Sequence, residues 1–208
     1  MRMYVLALLA GLHVADADII DRIAVVVGER VITESEIVRQ IRITAFINGE
    51  KAVVDPERKR AAADRLVEQA LLRRELESSR LEPSAGAAKD LQEQIVKRYA
   101  STAAYQQALK DYSITEDEVR QATAWQASIL EFVAARFRPA VQISEAELRD
   151  YYQQEVVPKA GGQKPDFEDV RVQIESILTD QRVDNALDRW LGGARTQTRI
   201  RFRNEVFQ

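Results

Sequence analysis

The stretch Asp21 to Ile37, D-R-I-A-V-V-V-G-E-R-V-I-T-E-S-E-I, decides the fold. From Ile23 to Val27 every side chain is β-branched or small, and stiff side chains suit a pleated, half-buried strand. Gly28-Glu29 interrupts the run before Arg30 to Ile32 resumes it. Glycine takes the positive φ of a two-residue hairpin turn, so a short hairpin is expected here. Thr33-x-x-Glu36 follows at once and reads as a capping box. In such a box the threonine hydroxyl accepts from the third helical N–H, while the glutamate reaches back to the cap's own N–H. A helix is therefore expected to start directly off the hairpin.

Two strands this short need another element over their apolar face. The far end of the chain offers one: Thr198-Arg199-Ile200-Arg201-Phe202-Arg203 alternates strictly, with Ile200 and Phe202 on one face and three arginines on the other. Period-2 alternation with charges on the open face marks an edge strand. Nearly everything between the two ends has helical character. The expected fold class is mainly α (α+β): a multi-helix body closed by a small antiparallel sheet, formed by the N-terminal hairpin and the C-terminal strand.

The strand, the tight turn, V-I-T-E-S-E-I (Val31 to Ile37), R-L-V-E-Q-A-L-L-R-R-E-L (Arg65 to Leu76) and the closing strand, in this order and spacing, resemble the SurA family. These are periplasmic chaperones and peptidyl-prolyl isomerases, and the resemblance spans roughly residues 19 to 208. It implies a chaperone core that binds unfolded or outer-membrane-bound polypeptides without ATP. In that family a parvulin isomerase domain is inserted after a helix of the kind that Ser144-x-x-Glu147 opens here. At the corresponding place this chain has only Val157 to Pro165, nine residues with two prolines and two glycines, which make a flexible linker.

Met1-Arg2-Met3, the apolar run Tyr4 to Leu12 and Ala15-Asp16-Ala17 together have the parts of a secretory signal peptide. The expected division is a signal peptide over residues 1–17 and one chaperone domain over 18–208, exported to the periplasm as a soluble protein. Cleavage after Ala17 removes Arg2 and Asp16 alike and leaves the net charge at −3. With no cysteine the chain has no disulfide, thiolate site or lipid-anchored cysteine, so the fold rests on its core. Mild acidity with both signs mixed along the chain argues against nucleic acid as a partner.

Two helices carry more apolar residues than one buried face needs. In the helix from Glu34 to about Asn48, Ile37, Val38, Ile41 and Ala45 lie on one side and Ile43, Phe46 and Ile47 on another. In the helix from Thr115 to Phe137, the main stripe is Val119, Gln126, Leu130, Val133 and Phe137, with Trp125, Ile129 and Phe132 as a flanking ridge. Such second faces either pack inside the fold or meet a client. Ile43, Phe46, Ile47, Trp125, Ile129 and Phe132 are accordingly the candidate client-binding residues.

Catalytic chemistry has little to work with. The single histidine, His13, lies within the signal peptide, so the mature chain has neither the nucleophile pairs nor the ordinary zinc ligands that need histidine or cysteine. It also lacks the paired histidines that the resemblance to parvulin-bearing chains would call for. No phosphate-cradling glycine loop is present. Paired acids such as Glu116 and Glu118, or Asp166 and Asp169, fall in first helical turns, where they favour the helix dipole. No enzyme activity, cofactor or metal is expected. Two readings follow: a holdase for many unfolded or nascent exported chains, or a structural or assembly subunit that uses the same faces for one fixed partner or a second copy of itself.

Overall fold

The computed structural model describes residues 21–79, 85–162 and 164–208. The expected signal peptide lies outside the described residues. Chain order is β1 (Ile23–Val27), β2 (Arg30–Thr33), α1 (Glu34–Asn48), α2 (Pro56–Ser79), α3 (Ala85–Val96), α4 (Thr102–Asp111), α5 (Glu116–Phe137), α6 (Glu145–Tyr151), α7 (Phe167–Gln197) and β3 (Ile200–Phe202). Helices dominate, and the three strands form one antiparallel sheet in the order β2-β1-β3. Both ends of the described chain thus meet in the sheet.

Gly28 holds φ at 59°, and its N–H donates to the Arg199 carbonyl at 2.9 Å, so the hairpin turn also anchors the approach to β3. Val25 faces Ile32 on one side and Phe202 on the other, while Val27 faces Ile200. These residues share the core side of the sheet. A bulge between Ile23 and Val25 breaks strict alternation, which lets the adjacent Ala24 and Val25 both be fully buried. Arg199, Arg201 and Arg203 are exposed, as the alternation predicts. Phe202 is half-buried beneath the Arg60 guanidinium, 3.8 Å from its ring centre.

Beneath the sheet, Ile37 and Ile41 of α1 and Ala62, Ala63, Val67 and Leu71 of α2 complete the first core cluster. Ile43 and Phe46, on the other side of α1, enter a second cluster with Ile95, Tyr105, Leu109, Ile114 and Val119. Leu148, Tyr152, Phe167 and Ile174 make a third between α6 and α7. The doubly apolar α1 is therefore sandwiched within the fold. Its expected cap is in place: Glu36 N–H donates to the Thr33 hydroxyl at 3.3 Å, and Thr33 N–H to the Glu36 carboxylate at 3.0 Å.

One local expectation differs from the structure. Gly192-Gly193 reads as a weakening point, yet α7 runs through it to Gln197. Tertiary contacts outweigh the glycine cost, because Ala194 packs on the first cluster and Arg195 pairs with Glu68 at 2.9 Å and Asp64 at 3.5 Å. After α6 the chain makes a π-helical segment, Tyr152–Val156, in which Val157 N–H donates back to the Tyr152 carbonyl at 3.0 Å. The linker that follows is tied at its far end, since the Tyr152 hydroxyl donates to the Pro165 carbonyl at 2.6 Å.

Where hairpin, α1 and α2 meet, Glu34 accepts from Lys59 at 2.6 Å and from Arg22 at 2.6 Å, and Lys59 Nζ lies 3.5 Å from the Val206 carbonyl. The Lys59 hydrogen bond is the main cause that holds the Glu34 carboxyl below its ordinary pKa. A carboxylate depressed in the folded state contributes stability above its unfolded pKa, and that stability is lost as pH falls through the folded value. Glu34→Gln is therefore expected to cost about 1 to 2 kcal/mol at pH 7. The gap from wild type should close as the pH is taken below about 4.3, the ordinary glutamate value. Urea midpoints at pH 7 and pH 3 check both parts.

Candidate functional site

Phe46 sits at the centre of an aromatic cluster. Its ring centre lies 5.7 Å from Tyr99, 5.9 Å from Tyr105 and 5.5 Å from Tyr112, in stacked, tilted and edge arrangements. Ser101 caps α4 by accepting from Ala104 N–H at 3.2 Å, and α4 then lays Tyr105 and Leu109 onto this side of α1. Phe46 is 1% exposed and Ile43 is buried, with Ile47 half-buried at the margin. Of the two readings of this face, packed inside the fold or open to a client, the structure has the first, so Ile43, Phe46 and Ile47 are corrected as client-binding candidates: α3, α4 and the start of α5 cover them.

The Tyr105 hydroxyl is buried there and has no hydrogen-bond partner among the described residues. Burial, with the Glu116 charge beside it, pushes its pKa up. A buried hydroxyl without a partner costs desolvation and returns nothing. Tyr105→Phe is accordingly expected to stabilise the fold, by about 1 kcal/mol, read as a higher urea midpoint. A lower midpoint would show that the hydroxyl is satisfied in solution.

Helix α5 begins at the box in which Glu118 N–H donates to the Thr115 hydroxyl at 3.2 Å and Thr115 N–H to the Glu118 carboxylate at 2.8 Å. Along its length it changes the side it buries. Val119, Thr123 and Ala127 lie on one side and are buried, whereas Ser128 and Phe132 are buried on another. The change follows from its neighbours: α5 touches α1 and α3, and also α2 and α7. Thr123 and Ser128 tolerate burial because their hydroxyls donate to the carbonyls of Arg120 at 3.0 Å and Ala124 at 2.8 Å.

Of the expected main stripe only Val119 is buried, so that reading too is corrected. Gln126 is exposed, Val133 and Phe137 are half-buried, and Leu130 is 59% exposed. From the flanking ridge, Phe132 is core while Trp125 and Ile129 are half-buried. The Arg73 guanidinium of α2 lies 4.4 Å from the Trp125 ring centre and covers one side of it. The apolar surface left in view is thus Leu130, Val133 and Phe137, at i, i+3 and i+7, with Trp125 and Ile129 beside them. Sequence reasoning placed Leu130 in the stripe but left it out of the candidate site.

A cleft of about 660 Å³ opens between α3 and α5, closed at one end by Ile47, Asn48 and Glu50. Tyr112 fixes that end by donating to the Glu50 carbonyl at 2.6 Å, and Arg98 of the α3 end bonds the Ile47 carbonyl. A second groove of about 640 Å³ lies along the first half of α1, between Val38, Arg39, Arg42 and Thr115. Its Arg39 is paired with Glu118 at 3.0 Å.

Of the paired acids, Glu116 accepts from Gln106 at 3.2 Å. Glu118 and Glu147 close capping boxes, and Asp166 accepts from Glu168 N–H at 3.2 Å. The Ser144 hydroxyl is the main cause that lowers the Glu147 pKa. Among the described residues no group of three potential metal ligands comes together, and no helix is long and apolar enough to cross a membrane. No family model matches the chain, and no curated protein matches it.

Proposed function

We propose that this chain is an exported, ATP-independent holdase of the SurA type, binding unfolded or outer-membrane-bound polypeptides in the periplasm and lacking prolyl isomerase activity. The observation that carries this reading is the partly uncovered apolar stripe of α5, in which Leu130 is 59% exposed and Val133 and Phe137 are half-buried. Side chains in such a stripe each bring on the order of 1.5 to 3 kcal/mol when buried, before ordering costs, which suits weak contact with many apolar segments. The sheet that joins the two ends of the described chain, with no room for a further domain between Val157 and Pro165, agrees with the chaperone core that the sequence resembles.

Light scattering of a diluted unfolded protein tests the proposal. The mature chain is expected to suppress aggregation without ATP, and Leu130→Asp to suppress it less while leaving the urea midpoint within about 0.5 kcal/mol of wild type, as surface changes usually do. No suppression at several-fold excess, with a narrow response on a peptide array, would favour the assembly subunit instead.

A further inference from the structure

We infer that the cleft between α3 and α5 binds the main chain of an extended polypeptide, gripping peptide groups through facing carboxamides rather than selecting side chains. This rests on the holdase reading and names the part of a client that the protein recognises. Gln94 projects from the α3 wall and Gln126 from the α5 wall, with Asn48 at the closed end. The Gln94 and Gln126 carboxamides each present N–H donors and a carbonyl acceptor, the kinds of group that a peptide bond offers in return, while Asn48 Nδ2 is turned to the Glu50 carboxylate at 3.5 Å.

Nearby glutamines on α4 and α5 are already committed. Gln106 bonds Glu116 at 3.2 Å, Gln107 bonds Asp111 at 2.8 Å and Gln121 bonds Asp117 at 2.6 Å. Among the described residues, none holds the Gln94 or Gln126 side chain, and both are exposed. Between the amide walls, Leu91 is half-buried and Ile95 is buried, so the cleft has apolar side chains below its polar rim. An extended chain fits that layering, with its peptide groups on the rim and alternate side chains turned inward.

Size agrees as well. A cleft of about 660 Å³ lies within the usual span of ligand pockets. The lining from Leu91 to Arg98 runs about 10 Å, close to the ~10 Å covered by three extended residues. Main-chain recognition is indifferent to sequence, which is what a binder of many unfolded segments requires. Glu50 and Arg98 both line the cleft and carry opposite charges, and Arg98 is turned to the Ile47 carbonyl, so the lining has no net sign to select for.

Fluorescence anisotropy with the mature protein and a labelled ten-residue peptide of alternating valine and threonine tests this, beside the same peptide N-methylated at every second amide, in both phases. Wild type should bind at least one methylated phase ten or more times more weakly than the parent. Gln94→Leu/Gln126→Leu should lose at least tenfold for the parent and no longer distinguish the peptides, with an unchanged urea midpoint. Equal binding of parent and methylated peptides by wild type, or discrimination retained by the double variant, overturns the inference. If wild type still suppresses aggregation in that case, the holdase reading stands alone. If wild type binds neither peptide and suppresses nothing, both fall.

Discussion

Phe46→Ala should lower the stability of the domain by about 3 to 5 kcal/mol, the usual cost of emptying a buried aromatic site. Among the described residues Phe46 is the one ring that touches Tyr99, Tyr105 and Tyr112 together, and it is fully buried where α1 meets α3, α4 and α5. Removing the ring leaves a cavity among Tyr99, Tyr105, Tyr112 and the other side chains of the second cluster. Against a typical total of about 5 to 15 kcal/mol, the variant should sit near the edge of folding. Urea unfolding measures the loss, and near-ultraviolet circular dichroism should lose the tyrosine signal of the cluster. An unchanged midpoint together with reduced aggregation suppression would mean instead that Phe46 is open to clients.

The second large effect is expected at the closing strand. Ile200 stands opposite Val27 in the register and packs against the first cluster. An aspartate there must either stay protonated or break the contact between β3 and the body. Since Ile200 is half-buried, Ile200→Asp should cost about 2 to 4 kcal/mol, while Arg201→Asp on the water-facing side should cost under about 0.5 kcal/mol. Equal urea midpoints for the two variants would show that β3 does not hold the fold closed. The same comparison measures how far the two ends depend on each other, because Gly28 N–H bonds the Arg199 carbonyl and Lys59 lies beside the Val206 carbonyl.

The sequence by itself determined the elements whose signals are local. The three capping boxes, at Thr33, Thr115 and Ser144, each close with the glutamate three residues on, because both partners lie within one helical turn and need nothing from the rest of the chain. The hairpin at Gly28 and the alternation from Thr198 to Arg203 were legible for the same reason, since a two-residue turn and a period of two are set by backbone geometry. Fold class follows from those signals, and so do the bounds of α1 and α5.

Only the tertiary structure decided which apolar faces are spent. Apolar side chains attract without direction, so the face of α1 bearing Ile43 and Phe46 carries no mark that it will meet Tyr105 and Leu109 of α4 rather than a client. The same lack of direction hid the turn of the buried side along α5, where one set of neighbours takes Val119 and Thr123, another takes Phe132, and Leu130 is left in water. Continuation of α7 through Gly192-Gly193 was likewise settled at a distance, by Arg195 pairing with acids about 130 positions earlier. Local hydrogen bonds choose their partners within a few residues, whereas apolar surfaces and long ion pairs acquire theirs only when the chain has folded.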